Sequence, residues 1–174
     1  MEAYLTSKYT SIEERIIDTS RYVDLDRANW QAFSTEYASI LRDAGVAFTS
    51  TMDKIVRTSG SVSRGEVTMS HFKSFLNKHV SGVSSIRVRL TRSRQVTDLQ
   101  PFHGLRMGRS PVWWRAFSDL KHNEMESYEE GNMVNCLNSV AALMVLRVLM
   151  RSGDVINNSK LFAEVGYPQQ GLVH

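Results

Sequence analysis

Three polar side chains with catalytic potential recur at helical spacing in the second half of the chain. Arg115, Asp119 and His122 lie in residues 112–122, a segment whose apolar residues favour an amphipathic helix. At about 100° per residue, the three side chains project within about 60° of one another, and the apolar side chains project to the opposite side. Asp119 therefore lies close enough to orient either neighbour by a hydrogen bond or an ion pair.

The types of these residues suit phosphodiester chemistry. A histidine with a pKa near neutrality can move a proton, and the planar fork of an arginine matches a phosphate or a developing oxyanion. Such a pair can cleave a phosphodiester without a metal ion. The alternative is a solvated polar face on which His122 is favoured only by the helix dipole at a C-terminus. The spacing alone leaves both interpretations open.

Other common catalytic patterns are missing from the sequence. It contains no Cys/His cluster and no H-E-x-x-H, G-x-S-x-G or phosphate-loop motif. Zinc chemistry, serine hydrolysis and nucleoside triphosphate hydrolysis therefore lack support. We expect no metal site and no cofactor.

A family resemblance begins just before the polar face. The chain reads Gln-Pro-Phe-His at residues 100–103 and Pro-Val-Trp-Trp-Arg-Ala-Phe-Ser-Asp-Leu-Lys-His at residues 111–122, and a long Asn/Ala/Leu-rich helix follows over residues 132–149. This stretch resembles a bacterial HEPN-like helical family that carries a Pro-Phe, a Trp-Trp and a Lys-His at these separations. The resemblance covers residues 100–150, and the N-terminal helices are compatible with it.

The resemblance implies a helical bundle that is often dimeric and that in many members cleaves RNA without a metal ion. Those members use an arginine and a histidine separated by a short spacer, which here is the six residues 116–121. Carried across, His122 is the proton-transfer residue and Arg115 contacts the phosphate and the transition state.

A second candidate site precedes this helix. Residues 86–109, here called the basic insertion, hold one aspartate and six arginines, in a chain whose formal net charge is only +3. Guanidinium groups bind phosphates bidentately, and Phe102 and His103 could stack on bases. The alternative is a solvated arm whose arginines pair with acidic helices of the same chain. The candidate nucleic-acid-binding residues are Arg87, Arg89, Arg92, Arg94, Arg106 and Arg109.

Five helices are predicted to position these sites. Hydrophobic periodicity places them over about 11–24, 30–55, 68–80, 111–122 and 128–151, with Ser11 capping the first and a bend in the second at Gly45. The last is apolar around most of its circumference and must be central. Ile86 to Leu90 alternates with period two, which predicts a short strand or extended arm. The predicted fold is all-α, a five-helix HEPN-like bundle with an irregular basic insertion before the fourth helix.

Composition bounds the remaining expectations. The chain has 174 residues, of which 42% are hydrophobic and 22% charged, which is typical of one globular domain over residues 1–174. The single cysteine, Cys136, lies among apolar residues and predicts a buried, reduced thiol in the cytoplasm. The longest nearly apolar run, residues 140–150, is too short for a membrane span, and the N-terminus lacks a signal-peptide pattern.

Three hypotheses of function follow. The first is an RNA-binding HEPN-like homodimer that acts as a metal-independent endoribonuclease. The second is a non-catalytic interaction or scaffold protein whose polar helix face is a dimer interface. The third is a nucleic-acid-binding protein that uses only the basic insertion. Catalysis predicts that Arg115 and His122 are exposed side by side, whereas scaffolding predicts that both are buried in salt bridges of the same chain.

Overall fold

Five α-helices make up most of the fold. The computed structural model of the protein describes residues 1–79, 82–150 and 159–166. In these residues the helices are α1 (Glu2–Thr19), α2 (Thr35–Thr58), α3 (Met69–His79), α4 (Val112–His122) and α5 (Met133–Met150). The predicted predominance of helix is confirmed.

Helix α5 lies at the centre of the fold, as its apolar circumference predicts. It packs against α1, α2 and α4. The spacing of its apolar residues predicts that six side chains are buried. Four of them are fully buried, Leu137, Ala141, Met144 and Val145, whereas Val134 and Val148 are partly exposed. The predicted end of the helix at residue 151 lies outside the described residues.

The same helix is long and apolar enough to cross a membrane. Its mean hydropathy is 1.8, and 72% of it is buried inside the fold. A helix that is hydrophobic all round is found either in a protein core or in a membrane, and this burial is what a core helix shows.

The first two helices begin at residues other than those predicted. Helix α1 starts at Glu2, and Ser11 is an exposed residue within it, because Leu5 and Tyr9 extend the apolar stripe towards the N-terminus and no helix breaker precedes Ser11. Helix α2 starts after Ser34, whose hydroxyl accepts a hydrogen bond from the Tyr37 N–H at 3.0 Å. This N-cap places Trp30 in the preceding loop.

A small antiparallel sheet corrects the all-α prediction. It has the strand order β2-β1-β3, with β1 at Arg87–Leu90, β2 at Thr97–Leu99 and β3 at Phe162–Gly166. The period-two pattern of β1 is confirmed, since Val88 and Leu90 are buried. Strands β1 and β2 lie in the basic insertion, which is therefore not irregular. Its sequence predicts only one strand because β2 is too short for a period-two signal.

A buried carboxylate joins the sheet to the bundle. Glu13 on α1 is 2% exposed. Its Oε1 accepts hydrogen bonds from the Ser159 hydroxyl at 2.6 Å and from the backbone N–H groups of Lys160 and Leu161, both at 3.0 Å. The Tyr9 hydroxyl also donates to it, and burial together with the Glu13 charge raises the pKa of Tyr9 well above its ordinary value. The segment that enters β3 is thus anchored on α1.

Candidate functional site: the polar face of α4 and the basic insertion

The inner face of α4 is fixed by aromatic packing. Trp113 is 2% exposed, and its ring lies edge-on to Phe48 of α2, with centroids 5.0 Å apart. Phe117 fills the space above Gly45, where an added Cβ would lie 2.3 Å from the Phe117 Cδ2 atom. Gly45 therefore allows close approach of two helices, and α2 runs through it without interruption. The inner face buries Trp113, Ala116, Phe117 and Leu120.

The outer face of α4 carries the three candidate catalytic residues. Arg115, Asp119 and His122 are all exposed. Within the described part of the chain, none of the three side chains forms a hydrogen bond or an ion pair, so the predicted orienting contact of Asp119 is not formed. The face is open, and each group is free to meet a ligand or another subunit.

The Pro-Phe and Trp-Trp pairs belong to the core. The Trp113 indole N–H donates to the Pro101 carbonyl oxygen at 2.7 Å, which joins α4 to the turn that follows β2. Phe102 is 0% exposed and packs near Phe48 and Phe72. The expectation that Phe102 stacks on bases is therefore wrong, because the ring is used in the core. His103 is exposed on the surface.

The arginines of the basic insertion differ in their contacts. Arg89 forms an ion pair with Asp98 across the two strands at 3.0 Å, and Arg94 pairs with Asp24 at 2.5 Å. Arg92 donates to the Lys160 carbonyl oxygen at 3.4 Å. The side chains of Arg87 and Arg109 form no hydrogen bond or ion pair within the described residues.

The side chain of Arg106 lies outside the described part of the structure. Of the five arginines whose side chains are described, Arg89 and Arg94 pair with carboxylates of the same chain. These carboxylates lie in β2 and in the loop after α1, whereas the alternative considered for this segment predicted partners on acidic helices.

Asp26 fixes the tip of the basic insertion against the loop after α1. Its Oδ1 accepts a hydrogen bond from the Ser93 hydroxyl at 2.7 Å and another from the Arg94 backbone N–H at 2.8 Å. These two bonds, with the nearby Arg94 charge, hold the pKa of Asp26 below its ordinary value. The tip is therefore held in place by an ionised carboxylate.

Two surface cavities adjoin the basic insertion. The first has a volume of about 460 Å³, and its lining includes Arg27, Trp30 and Asn138; we call it the tryptophan cavity. The second has a volume of about 410 Å³ and includes Ser84 and Arg87; we call it the serine cavity. Gln100 and His103 line both cavities, so the two meet at these side chains.

These cavities contain residues that the sequence did not single out as functional. Trp30 falls on the predicted stripe of the second helix, and Ser84 matches no motif. Gln100 and Asn138 lie in the stretch that carries the family resemblance, which assigns neither of them a role. The cavity residues are distant along the chain, and only the packing of β1, β2 and α5 brings them together. No local pattern carried a signal for them.

The remaining chemistry of the described residues is limited. They contain no group of three or more His, Cys, Asp and Glu side chains that could hold a metal ion. Cys136 is buried, and burial raises its pKa, so the thiol is neutral and unreactive. No protein-family model, curated protein or solved structure matches the chain.

Proposed function

We propose that the protein is a cytoplasmic, RNA-binding, HEPN-like homodimer that cleaves RNA without a metal ion. The observation that carries this proposal is the exposure of Arg115, Asp119 and His122 on one face of α4, without partners among the described residues. The scaffold hypothesis predicts that the arginine and the histidine are buried in salt bridges of the same chain, whereas both are exposed and unpaired among the described residues.

The chemistry needs one proton-transfer group and one cation. The ribose 2′-hydroxyl attacks the adjacent phosphorus while His122 takes its proton, and the bond from phosphorus to the 5′-oxygen breaks as that oxygen takes a proton from a water molecule. The hydroxide that remains then accepts the proton held by His122. Arg115 stabilises the charge that develops on the phosphoryl oxygens. The products are a 2′,3′-cyclic phosphate and a free 5′-hydroxyl.

A two-fold dimer through this face would complete the site. In an isologous contact the same patch meets itself, so the α4 faces of the two subunits, each with an arginine, an aspartate and a histidine, lie against one another. Opposite charges on one self-complementary face favour such an arrangement. Two copies of His122 would then lie near one RNA strand.

A second candidate function is a non-catalytic dimerisation module. Val112 favours it, because this apolar side chain is 55% exposed on the same side of α4 as Arg115. RNA binding by the basic insertion alone, without cleavage, is the third candidate.

Cleavage assays with a pool of structured and unstructured RNAs test the proposal. We expect wild-type protein to cut RNA equally well with and without EDTA. His122→Ala should abolish cleavage, and Arg115→Lys should be strongly impaired because an ammonium group does not reproduce the guanidinium fork. The matched control is His79→Ala, which removes an exposed histidine on α3 and should cut like wild type.

Sedimentation and thermal melting separate catalysis from assembly. His122→Ala should keep the dimer and a melting temperature close to that of wild type, since exposed polar side chains contribute within about 0.5 kcal/mol to stability. Wild-type protein that leaves all RNAs intact, or a His122→Ala variant that cuts like wild type, would favour the dimerisation module. Loss of cleavage together with the dimer would assign the face to assembly.

A further inference from the structure

The tryptophan cavity has the features of a site for a planar, hydrogen-bonding ring. Trp30, which is half-buried, supplies the aromatic surface of the cavity, and the Arg27 guanidinium lies 5.4 Å from the centre of its ring. The one carboxylate on its lining, that of Asp98, is paired with Arg89. The cavity therefore offers one aromatic side chain beside an arginine.

Two polar atoms of this cavity's residues lack partners. Among the described residues, neither the Trp30 Nε1 donor nor the Asn138 Oδ1 acceptor has a hydrogen bond, although both atoms are buried. Buried polar groups in folded proteins are nearly always paired, so unpaired ones point to a missing partner. A ring that carries one acceptor and one donor on its edge has the two groups that are complementary to these atoms.

The serine cavity has the features of an anion site. Its lining brings together two hydroxyls, an amide, an imidazole and a guanidinium, from Ser84, Ser85, Gln100, His103 and Arg87. In the described part of the chain, none of these side chains forms a hydrogen bond or an ion pair. Hydroxyls, amides and guanidinium groups are the usual side-chain partners of phosphate oxygens.

We propose that the two cavities together hold one nucleotide, with the unpaired base in the tryptophan cavity and its phosphate in the serine cavity. A nucleobase is a planar ring whose edge carries both donors and acceptors, and it stacks on aromatic side chains. The junction at Gln100 and His103 is where the sugar lies. This site rests on the proposed binding of RNA, and it does not depend on cleavage.

The position of Val112 connects this site to the polar face of α4. Val112 lines the tryptophan cavity, and Arg115 lies one turn further along the same side of the helix. A strand with one base in the cavity therefore continues towards Arg115 and His122. The cavities select a single-stranded RNA with an unpaired base near the cleaved bond.

Binding of a short single-stranded RNA, measured by fluorescence anisotropy, tests the site. Its 2′-hydroxyls are methylated so that cleavage cannot occur. A second strand lacks the base at one central position, and mononucleotide binding is measured by calorimetry. We expect the intact strand to bind about tenfold more tightly than the abasic strand, because stacking of one base on an aromatic side chain is worth about a tenfold change or more.

Four variants assign this preference to the cavities. Trp30→Leu should bind intact and abasic strands equally, whereas Trp30→Phe, which keeps an aromatic ring, should retain the preference. Arg87→Ala should weaken binding of both strands and lower the slope of log affinity against log salt by about 0.7. Arg64→Ala removes an exposed arginine outside both cavities and should bind like wild type. Melting temperatures verify that each variant is folded.

Each outcome decides the proposal. If wild type prefers the intact strand and Trp30→Leu does not, the site is supported, and the nucleotide that it binds belongs to RNA. If wild type binds a mononucleotide but not RNA, and Arg87→Ala loses this binding, the site is supported with a free nucleotide as its ligand. The same result contradicts the proposed RNA function. Equal binding of the two strands by wild type, without mononucleotide binding, overturns the site and leaves RNA binding intact. The site is also overturned if Trp30→Leu and Arg87→Ala bind both strands with the same affinities as Arg64→Ala.

Discussion

At the residue scale, the arginines divide by what their guanidinium groups contact. Arg89 and Arg94 pair with carboxylates, whereas Arg87, Arg109 and Arg115 form no hydrogen bond or ion pair within the described residues. An exposed ion pair is worth about 1 kcal/mol or less, yet a phosphate that binds a paired arginine must still displace the carboxylate. Arg87, Arg109 and Arg115 are therefore more accessible to an anion than Arg89 and Arg94.

The ionisation of Asp26 predicts a dependence of stability on pH. Hydrogen bonds from Ser93 and from the Arg94 backbone N–H lower the pKa of Asp26 in the folded protein. A carboxyl whose pKa is lower in the folded protein stabilises the fold at pH values above its unfolded-state pKa, which is near 4. This stabilisation is lost as the pH falls through the folded-state pKa. We expect Asp26→Asn to lower the free energy of unfolding at neutral pH, and the difference from wild type to shrink below about pH 4.

Urea unfolding of both proteins at several pH values measures this difference. A difference that stays constant from neutral to acidic pH would show that the charge of Asp26 does not stabilise the tip of the basic insertion.

At the scale of elements, helix α4 is held on one side and free on the other. Trp113 and Trp114 both contact the ring of Phe48, at centroid distances of 5.0 and 5.7 Å, and Phe117 packs over Gly45. This rigid inner face fixes the position of the polar face. A site built on a packed helix is held more precisely than one on a loop.

Substitution of Gly45 tests how closely α2 and α4 must approach. The Cβ of Gly45→Ala would lie 2.3 to 2.5 Å from three ring atoms of Phe117, so the helices must separate or the ring must move. Overpacking of this kind costs about 1 to 3 kcal/mol of unfolding free energy. Urea unfolding measures the loss, and Val46→Ala, at the exposed neighbouring position, should change it by no more than about 0.5 kcal/mol.

A double variant identifies the clash. Phe117→Leu should reduce the cost of Gly45→Ala, because the smaller side chain leaves room for the methyl group. If the losses of unfolding free energy in the two single variants simply add in the double variant, the cost of Gly45→Ala does not come from its contact with Phe117.

At the scale of the whole molecule, Glu13 connects the first helix to the last described strand. One buried carboxylate oxygen accepts hydrogen bonds from Ser159, Lys160 and Leu161, which brings β3 to the edge of β1. We expect Glu13→Ala to lower the free energy of unfolding by about 3 kcal/mol, because buried donors are left without an acceptor. The exposed neighbour gives the control, and Glu14→Ala should cost about 0.5 kcal/mol or less.

Hydrogen exchange locates the effect of this variant. The amides of Lys160 and Leu161 should lose protection in Glu13→Ala before those of α5 do, since local opening needs less free energy than global unfolding. Equal protection of these amides in wild type and variant would contradict the anchoring role of Glu13.

The local features of this protein can be predicted from its sequence. Periodicity of three to four residues predicted most of the helices, the buried position of α5 and the polar face of α4, and alternation predicted β1. These features follow from side-chain direction within one element, which depends only on neighbouring residues. The alternation of β1 also separated its buried residues from exposed Arg87 and Arg89.

Contacts between residues that are distant along the chain are visible only in the folded structure. Strand β1 finds its partners at residues 97–99 and 162–166, Glu13 meets residues 159–161, and Trp30 shares a cavity with His103 and Asn138. The same structure showed that Phe102 belongs to the core and that Arg94 faces Asp24. Such contacts depend on the packing of the whole chain and on the closure of long loops, and no short window of residues encodes them.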